Sequence, residues 1–270
     1  MTRLRCQLLG LGAWGHGFQS AEQLLELIQS GDNARDHTFQ KPSPGLIPAN
    51  ERRRAPLPVR LAVAVSEQAA EQSGLAASEL ACVFGSGLSD TEITDYICRE
   101  LNTAQKQLSP TKFHNSVHNA AAGYWTISTG CMKAANSIAA YHETVGLCFL
   151  EAMTQVEIER IPVLLTVFDT AAFGAYADLY EAREAFAAAF VIAPEPHSAE
   201  RAPLASIEAE LVDEIASPEK LPESLQALFE QNPAAKSLSL FRALAAGPAA
   251  QAGLALAESL SLRLAFRRPL

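Results

Sequence analysis

The chain has 270 residues, 49% hydrophobic and 19% charged, which is enough apolar material for a large core and excludes a disordered chain. No apolar run reaches the ~18 residues that span a bilayer, and the short apolar start ends in glycines instead of a cleavage site, so a soluble cytoplasmic protein is expected. The net charge of −9, from 21 basic and 30 acidic residues, argues against a general nucleic-acid binder.

In chain order, an apolar run from Leu4 to Leu11 predicts a strand, followed by glycines at 10, 12, 15 and 17. These glycines formally match the dinucleotide fingerprint, with Asp32 or Asp36 as the ribose acid. The polar stretch 31–37 cannot be the buried second strand that such a site needs, so a tight strand-to-helix turn is the expected use. A helix follows from Ser20 to Ile28, with Ser20 as N-cap and Gln23 as its capping-box partner. Residues 31–58 are polar and contain five prolines, and they read as a long ordered excursion. Arg52, Arg53 and Arg54 form its basic cluster, read as a solvated loop or as a dock for an acidic partner.

Val59 to Gln72 is helical and closed by Gly74. Leu80 to Phe84 is a short buried strand, and Asp90 to Leu101 a helix. Pro110 to Asn119 is irregular, and Ala120 to Thr129 is helical up to Gly130. A long helix is expected over Ala139 to Ile158, then an apolar strand from Pro162 to Phe168 ending at Asp169. Ala187 to Ile192 and Leu204 to Val212 read as a hairpin pair. Helices near Glu223–Glu230 and Ser237–Ala246 precede a last half-buried strand carrying Leu262, Leu264 and Phe266. Strands alternating with amphipathic helices predict an α/β fold with a sheet covered on both faces.

No nucleophile or metal centre stands out. His114 and His118 are four apart but lack an intervening glutamate, so they read as hydrogen-bonded histidines near an interface or pocket, with no metal and no cofactor expected. Ser86 lies between two glycines without the full nucleophile-elbow spacing. The five cysteines are scattered, and Cys148 reads as a packed thiol inside an apolar helix.

Several segments together resemble the N-terminal half of a β-ketoacyl synthase, a thiolase-fold enzyme. They are Gln7 to Ala13, Ala81 to Gly87, Ser109-Pro110, Asn119 to Tyr124, Pro162 to Asp169 and Phe186 to Ile192. The resemblance implies a layered αβα mixed sheet, with residues 1–215 as the ketoacyl-synthase-like domain and 216–270 as a short C-terminal remnant packed on it. Glu51 to Arg60 and His118 to Trp125 look like the short chain-length-factor subunits of aryl polyene and other type II polyketide systems.

That resemblance places the position of the family's nucleophilic cysteine at or beside His142, and the two histidines of the family's C-terminal half have no counterpart. It therefore implies a non-catalytic subunit that pairs with an active ketosynthase and shapes its acyl channel, with acyl carrier protein as a further partner. Phe113, His114, His118, Asn119, Tyr124 and Trp125 are the interface or channel candidates, together with Tyr141 and His142. The alternative is an acyltransferase or thioesterase that uses Cys131 or Cys148.

Overall fold

The computed structural model describes residues 3–31, 38–196, 201–214, 220–247 and 249–267. The first half contains β1 (Leu4–Gly15), α1 (Ala21–Ser30), α2 (Ala49–Arg54), α3 (Leu57–Ser73), β2 (Ala81–Gly85), α4 (Thr91–Leu101), α5 (Pro110–Asn115) and α6 (Ala120–Thr129). The second contains β3 (Ala135–Ile138), α7 (Thr144–Glu159), β4 (Val163–Asp169), β5 (Phe186–Ala193) and β6 (Ala205–Val212). It closes with α8 (Glu223–Gln231), α9 (Leu238–Ala246), β7 (Gln251–Ala257) and β8 (Leu260–Arg267). The strands form one mixed sheet in the order β3-β2-β4-β5-β1-β6-β8-β7. β2 runs parallel to β3 and β4, and every other pairing is antiparallel.

Side-chain size along β5 sets the two layers. Phe186, Ala188, Phe190 and Ile192 join the core beneath α1, α7 and α9, whereas Ala187, Ala189, Val191 and Ala193 face α3. The first face fills space with aromatic rings, and Phe190 packs on Phe149 and Phe241 at 5.5 and 5.4 Å between centroids. Each fully buried ring of this kind contributes roughly 1.5–3 kcal/mol. The small face lets α3 settle close to the backbone.

The glycines of β1 serve the same approach. A Cβ on Gly10 would stand 2.0 Å from the Ala69 carbonyl oxygen, and one on Gly12 2.0 Å from that of Val65. Gly10, Gly12 and Gly15 all lie inside the twelve-residue strand, which corrects the expected turn at these positions. The formal fingerprint is a seat for a helix; Asp32 and Asp36 lie outside the described residues. β1 pairs with β6 only through Leu8, and beyond a bulge its outer edge passes to α3. There Gln72 Oε1 accepts from Leu11 N (2.7 Å) and Gln68 Oε1 from Ala13 N (3.0 Å), so the strand's unpaired donors are satisfied by helix side chains.

Other expectations need correction. β5 and β6 are not a hairpin; they flank β1 on opposite edges. The long helix starts at Thr144, not Ala139, because residues 135–138 form the edge strand β3 and Tyr141–Glu143 a 3-10 turn. The arginine cluster lies on α2, not in a loop. Arg52 is committed to the carbonyls of Ser43 and Pro44 (3.3 and 2.8 Å), which ties the proline-rich excursion down. Ser20 caps α1 as expected, accepting from Gln23 N at 3.3 Å, while Gln23 Oε1 accepts from Gln19 N. Gly74 ends α3 in the left-handed region at φ 73°.

Candidate functional site

The site is built where β3 hands over to α7. β3 pairs with β2 from Cys82↔Ala135 to Gly85↔Ile138, then the chain reverses through Tyr141–Glu143 into α7. Ala140 N donates to Thr144 Oγ1 (2.9 Å), closing the turn. Tyr141 sits at φ 46°, a region that costs a bulky residue about 1–3 kcal/mol. This strained strand-to-helix turn presents His142 at the start of a 16-residue helix, where N–H groups and the helix dipole favour negative charge.

The imidazole of His142 lies 4.0 Å from the Tyr141 ring, and Tyr141 in turn packs on Tyr180 at 5.2 Å. Nδ1 of His142 is buried without a hydrogen-bond partner. Burial first, and the Lys236 ammonium second, hold its pKa below the usual value of 6.5, so the ring is neutral at physiological pH.

Beside this turn lies a buried carboxyl. Asp169, at the end of β4, accepts from Ser86 Oγ (2.7 Å), Leu88 N (2.8 Å) and Gly87 N (3.1 Å). Its main-chain oxygen accepts from Asn232 Nδ2 (3.3 Å), which also donates to Glu184 O (2.9 Å). One acid thus binds the β2 turn, and its backbone ties β4 to the C-terminal segment. Complete burial outweighs these hydrogen bonds and pushes its pKa up to about 6. Gly87 has no room for a side chain: a Cβ would meet Pro233 at 2.7 Å and the Tyr141 carbonyl oxygen at 2.9 Å. Sequence reasoning used Asp169 only as the end of a strand, although an acid closing a wholly apolar run was the signal available.

The thiols face inward. Cys148 is fully buried against Gly85, and burial pushes its pKa up to about 12. Cys131 is 5% exposed and its Sγ donates to Leu80 O (3.2 Å). Both thiols are buried, so neither is presented to solvent in this structure. Cys98 is exposed on α4. Over the first turn of α7 lies β7: a Cβ on Gly146 would stand 2.1 Å from the Ala255 carbonyl oxygen.

The remaining candidates divide into groups. His118 Nε2 lies 3.2 Å from Ser86 O, which fixes the proton on Nε2 and joins this residue to the Asp169 network. His114, Asn119 and Tyr124 line an open cleft of about 440 Å³ with Val117 and Ile127. Phe113 is 61% exposed on α5, next to that cleft in sequence. Trp125 is fully buried in the α3 layer and does not line the cleft. Tyr141 meets the β2 turn at Gly87 through its carbonyl oxygen, and His142 lies against the Tyr141 ring. Among the described residues, no group of three His, Cys, Asp or Glu comes together to hold a metal ion, and no helix is long and apolar enough to cross a membrane.

A mixed sheet between two helical layers, with a strained strand-to-helix turn at one end, defines the thiolase-like class of condensing-enzyme folds. Residues 29–252 match the family described as β-ketoacyl synthase, N-terminal domain, and the chain belongs to that family. It superimposes on a chain of the complex of the ketosynthase ApeO with its chain length factor ApeC from Xenorhabdus doucetiae. That match has a TM-score of 0.70 at 19% identity, covering 97% of this chain and 99% of the other. The ishigamide ketosynthase/chain length factor gives 0.72 at 14% identity, with 98% and 99% covered. The complex AntDE:AntF, a type II polyketide synthase acyl carrier protein with its ketosynthase, gives 0.77 at 11% identity, with 99% and 100% covered. Comparison with curated proteins returns no match.

Proposed function

We propose that this chain is a non-catalytic, chain-length-factor-like partner of a β-ketoacyl synthase in aryl polyene-type polyketide biosynthesis. On this reading it stabilises the ketosynthase as a heterodimer and borders its acyl channel. The observation that carries the reading is the turn into α7. It keeps the strain and the helix N-terminus that suit a nucleophile, yet it presents a neutral histidine, and β7 lies across the helix one turn further on. Solved neighbours described as ketosynthase/chain length factor pairs support the same reading.

A pairing surface is available. β3 is an edge strand with Ala135 and Asn136 exposed, and among the described residues its second edge has no strand neighbour. Val117 (51% exposed) and Ile127 (83%) line the α6 cleft, and Met132 (94%) stands just before β3, so large apolar side chains are open to a partner here. Residues 1–215 then act as the ketosynthase-like domain and 216–270 as a remnant that completes its sheet, in a cytoplasmic complex. Arg53 and Arg54, which face outward, suit an acidic carrier protein.

Co-expression with a ketosynthase that retains its cysteine tests this. The expected result is a stoichiometric complex that extends acyl chains, keeps its turnover with His142→Ala here, and loses it when the ketosynthase cysteine is replaced. A stable monomer that binds no ketosynthase, or acyl-thioester turnover by this chain alone, would overturn the reading.

A further inference from the structure

A second cleft, of about 670 Å³, opens on the α3 side of the sheet and shares no lining residue with the cleft at α6. Its volume suits a small organic ligand. Phe39, Leu57, Ile93 and Phe173 supply apolar walls. Lys41, Arg54, Lys112 and Arg183 bring four cations to it, against Asp90 and Glu92. Asp90 is committed to capping α4, accepting from Ile93 N at 2.9 Å. A local excess of positive charge in a chain of net charge −9 attracts anions to this place.

The walls are held in place by their own contacts. Trp14 Nε1 donates to Gln40 O (2.8 Å), anchoring the segment that carries Phe39 and Lys41. Phe173 N donates to Thr91 Oγ1 (3.0 Å), and the Lys112 ammonium sits 3.8 Å above the Tyr96 ring. The Lys41 ammonium makes no ion pair or hydrogen bond among the described residues. α3 begins here with no side-chain cap, so its positive end adds to the field. Asn115 also lines the cleft; it is 4% exposed and its Oδ1 has no hydrogen-bond partner. A buried amide oxygen in that state needs a donor.

We propose that this cleft binds a small amphiphilic anion: an apolar chain or ring bearing a carboxylate or phosphate, with an N–H or O–H group for Asn115 Oδ1. The apolar part lies on Phe39, Leu57 and Ile93, and the anionic head meets the lysines and arginines at the rim. The cleft shares no lining residue with the α6 cleft, although Arg54 pairs with Glu51 of that cleft at 3.6 Å, and it is tested separately from pairing with a ketosynthase.

Calorimetric titration of the full chain, alone or with any protein that co-purifies with it, tests the site. Three probes share one chain: N-dodecanoylglycine carries a carboxylate, N-dodecanoylethanolamine phosphate a phosphate, and N-dodecanoylglycine amide no charge. At least one anionic probe binds about tenfold or more tighter than the neutral amide, and the better anion identifies the head group. Lys41→Glu and Lys112→Glu each weaken the anion by about tenfold with little effect on the amide. Ala171→Trp, at an exposed lining position, fills the cleft and abolishes binding with an unchanged melting curve. Equal binding of the amide, retention of the anion by folded Ala171→Trp, or no binding of any probe overturns the proposal. If Ala171→Trp does not fold, the two lysine variants decide the matter, because Lys41 is exposed and outside the core.

Discussion

Gly146, in the first turn of α7, lies directly against the carbonyl of Ala255 in β7, so that a methyl group on its Cα would stand 2.1 Å from that oxygen. The obstacle is main chain, and relief requires the whole hairpin to move. Gly146→Ala is therefore expected to lower the free energy of unfolding by about 1–3 kcal/mol, despite the better helix propensity of alanine. Denaturant melts measure the loss, and hydrogen exchange should show faster opening of β7 and β8. An unchanged or higher stability would mean that the hairpin does not press on the helix.

Asp169 makes stability depend on pH in a defined window. Its folded pKa is raised to about 6 from 3.8, so between those values the native state binds more protons than the unfolded chain. Its contribution is fully present below about pH 4 and falls as pH rises through about 6, by on the order of 3 kcal/mol in total. Asp169→Asn removes this titration but sets an amide N–H₂ against the N–H of Gly87, leaving a buried donor unpaired. The variant should lose about 1–3 kcal/mol and show a flatter stability profile between pH 4 and 6, so that its difference from wild type carries the Asp169 slope. Urea melts across that range, subtracted from wild type, read both effects.

The His142 imidazole should titrate below 6.5, because burial and the Lys236 charge disfavour its protonated form. A folded pKa below the unfolded one means that the native state binds fewer protons there, so this residue costs stability as pH falls below 6.5. Proton NMR of the ring gives the midpoint, and Lys236→Met should move it upward. A midpoint at or above 6.5 contradicts the neutral ring described for the turn.

Ile127 and Met132 stand 83% and 94% exposed, so replacing them with Asp should leave the stability of this chain within about 0.5 kcal/mol of wild type. If they belong to the pairing surface, the double variant should weaken ketosynthase binding by about a hundredfold or more, since each charge would be buried without a partner. Sedimentation velocity of the mixture separates a lost complex from a merely unstable subunit.

Much of the fold was legible in the sequence. β2, α3 and α6 are uninterrupted patterns ended by glycine, α4 is capped by Asp90, and β4 is an apolar run ended by Asp169, so their limits are set locally. β3 was not legible, because Ala-Asn-Ser-Ile is short, partly polar and held by backbone pairing to β2 alone. The glycines of β1 were misread for a related reason. What excludes a side chain at Gly10 and Gly12 is a helix more than fifty residues further on. At the candidate site, His142 was singled out by family resemblance alone, while its surroundings come from β4, the 232–236 segment and β7. Those contacts are tertiary, and no local pattern announces them.

The bulge in β1 has a wider consequence. Below it the strand carries β6 and, through β6, the last hairpin; above it the same edge belongs to Gln68 and Gln72 of α3. The sheet therefore has a seam. The five strands from β3 to β1 close around their own helices, while β6, β8 and β7 hang from five residues of β1 and bend over α7. Substitutions that lengthen, shorten or re-aim those three outer strands can change what covers the start of α7 without disturbing the ladder beneath it. The fold can thereby remodel access to one helix end while the scaffold that positions it stays fixed.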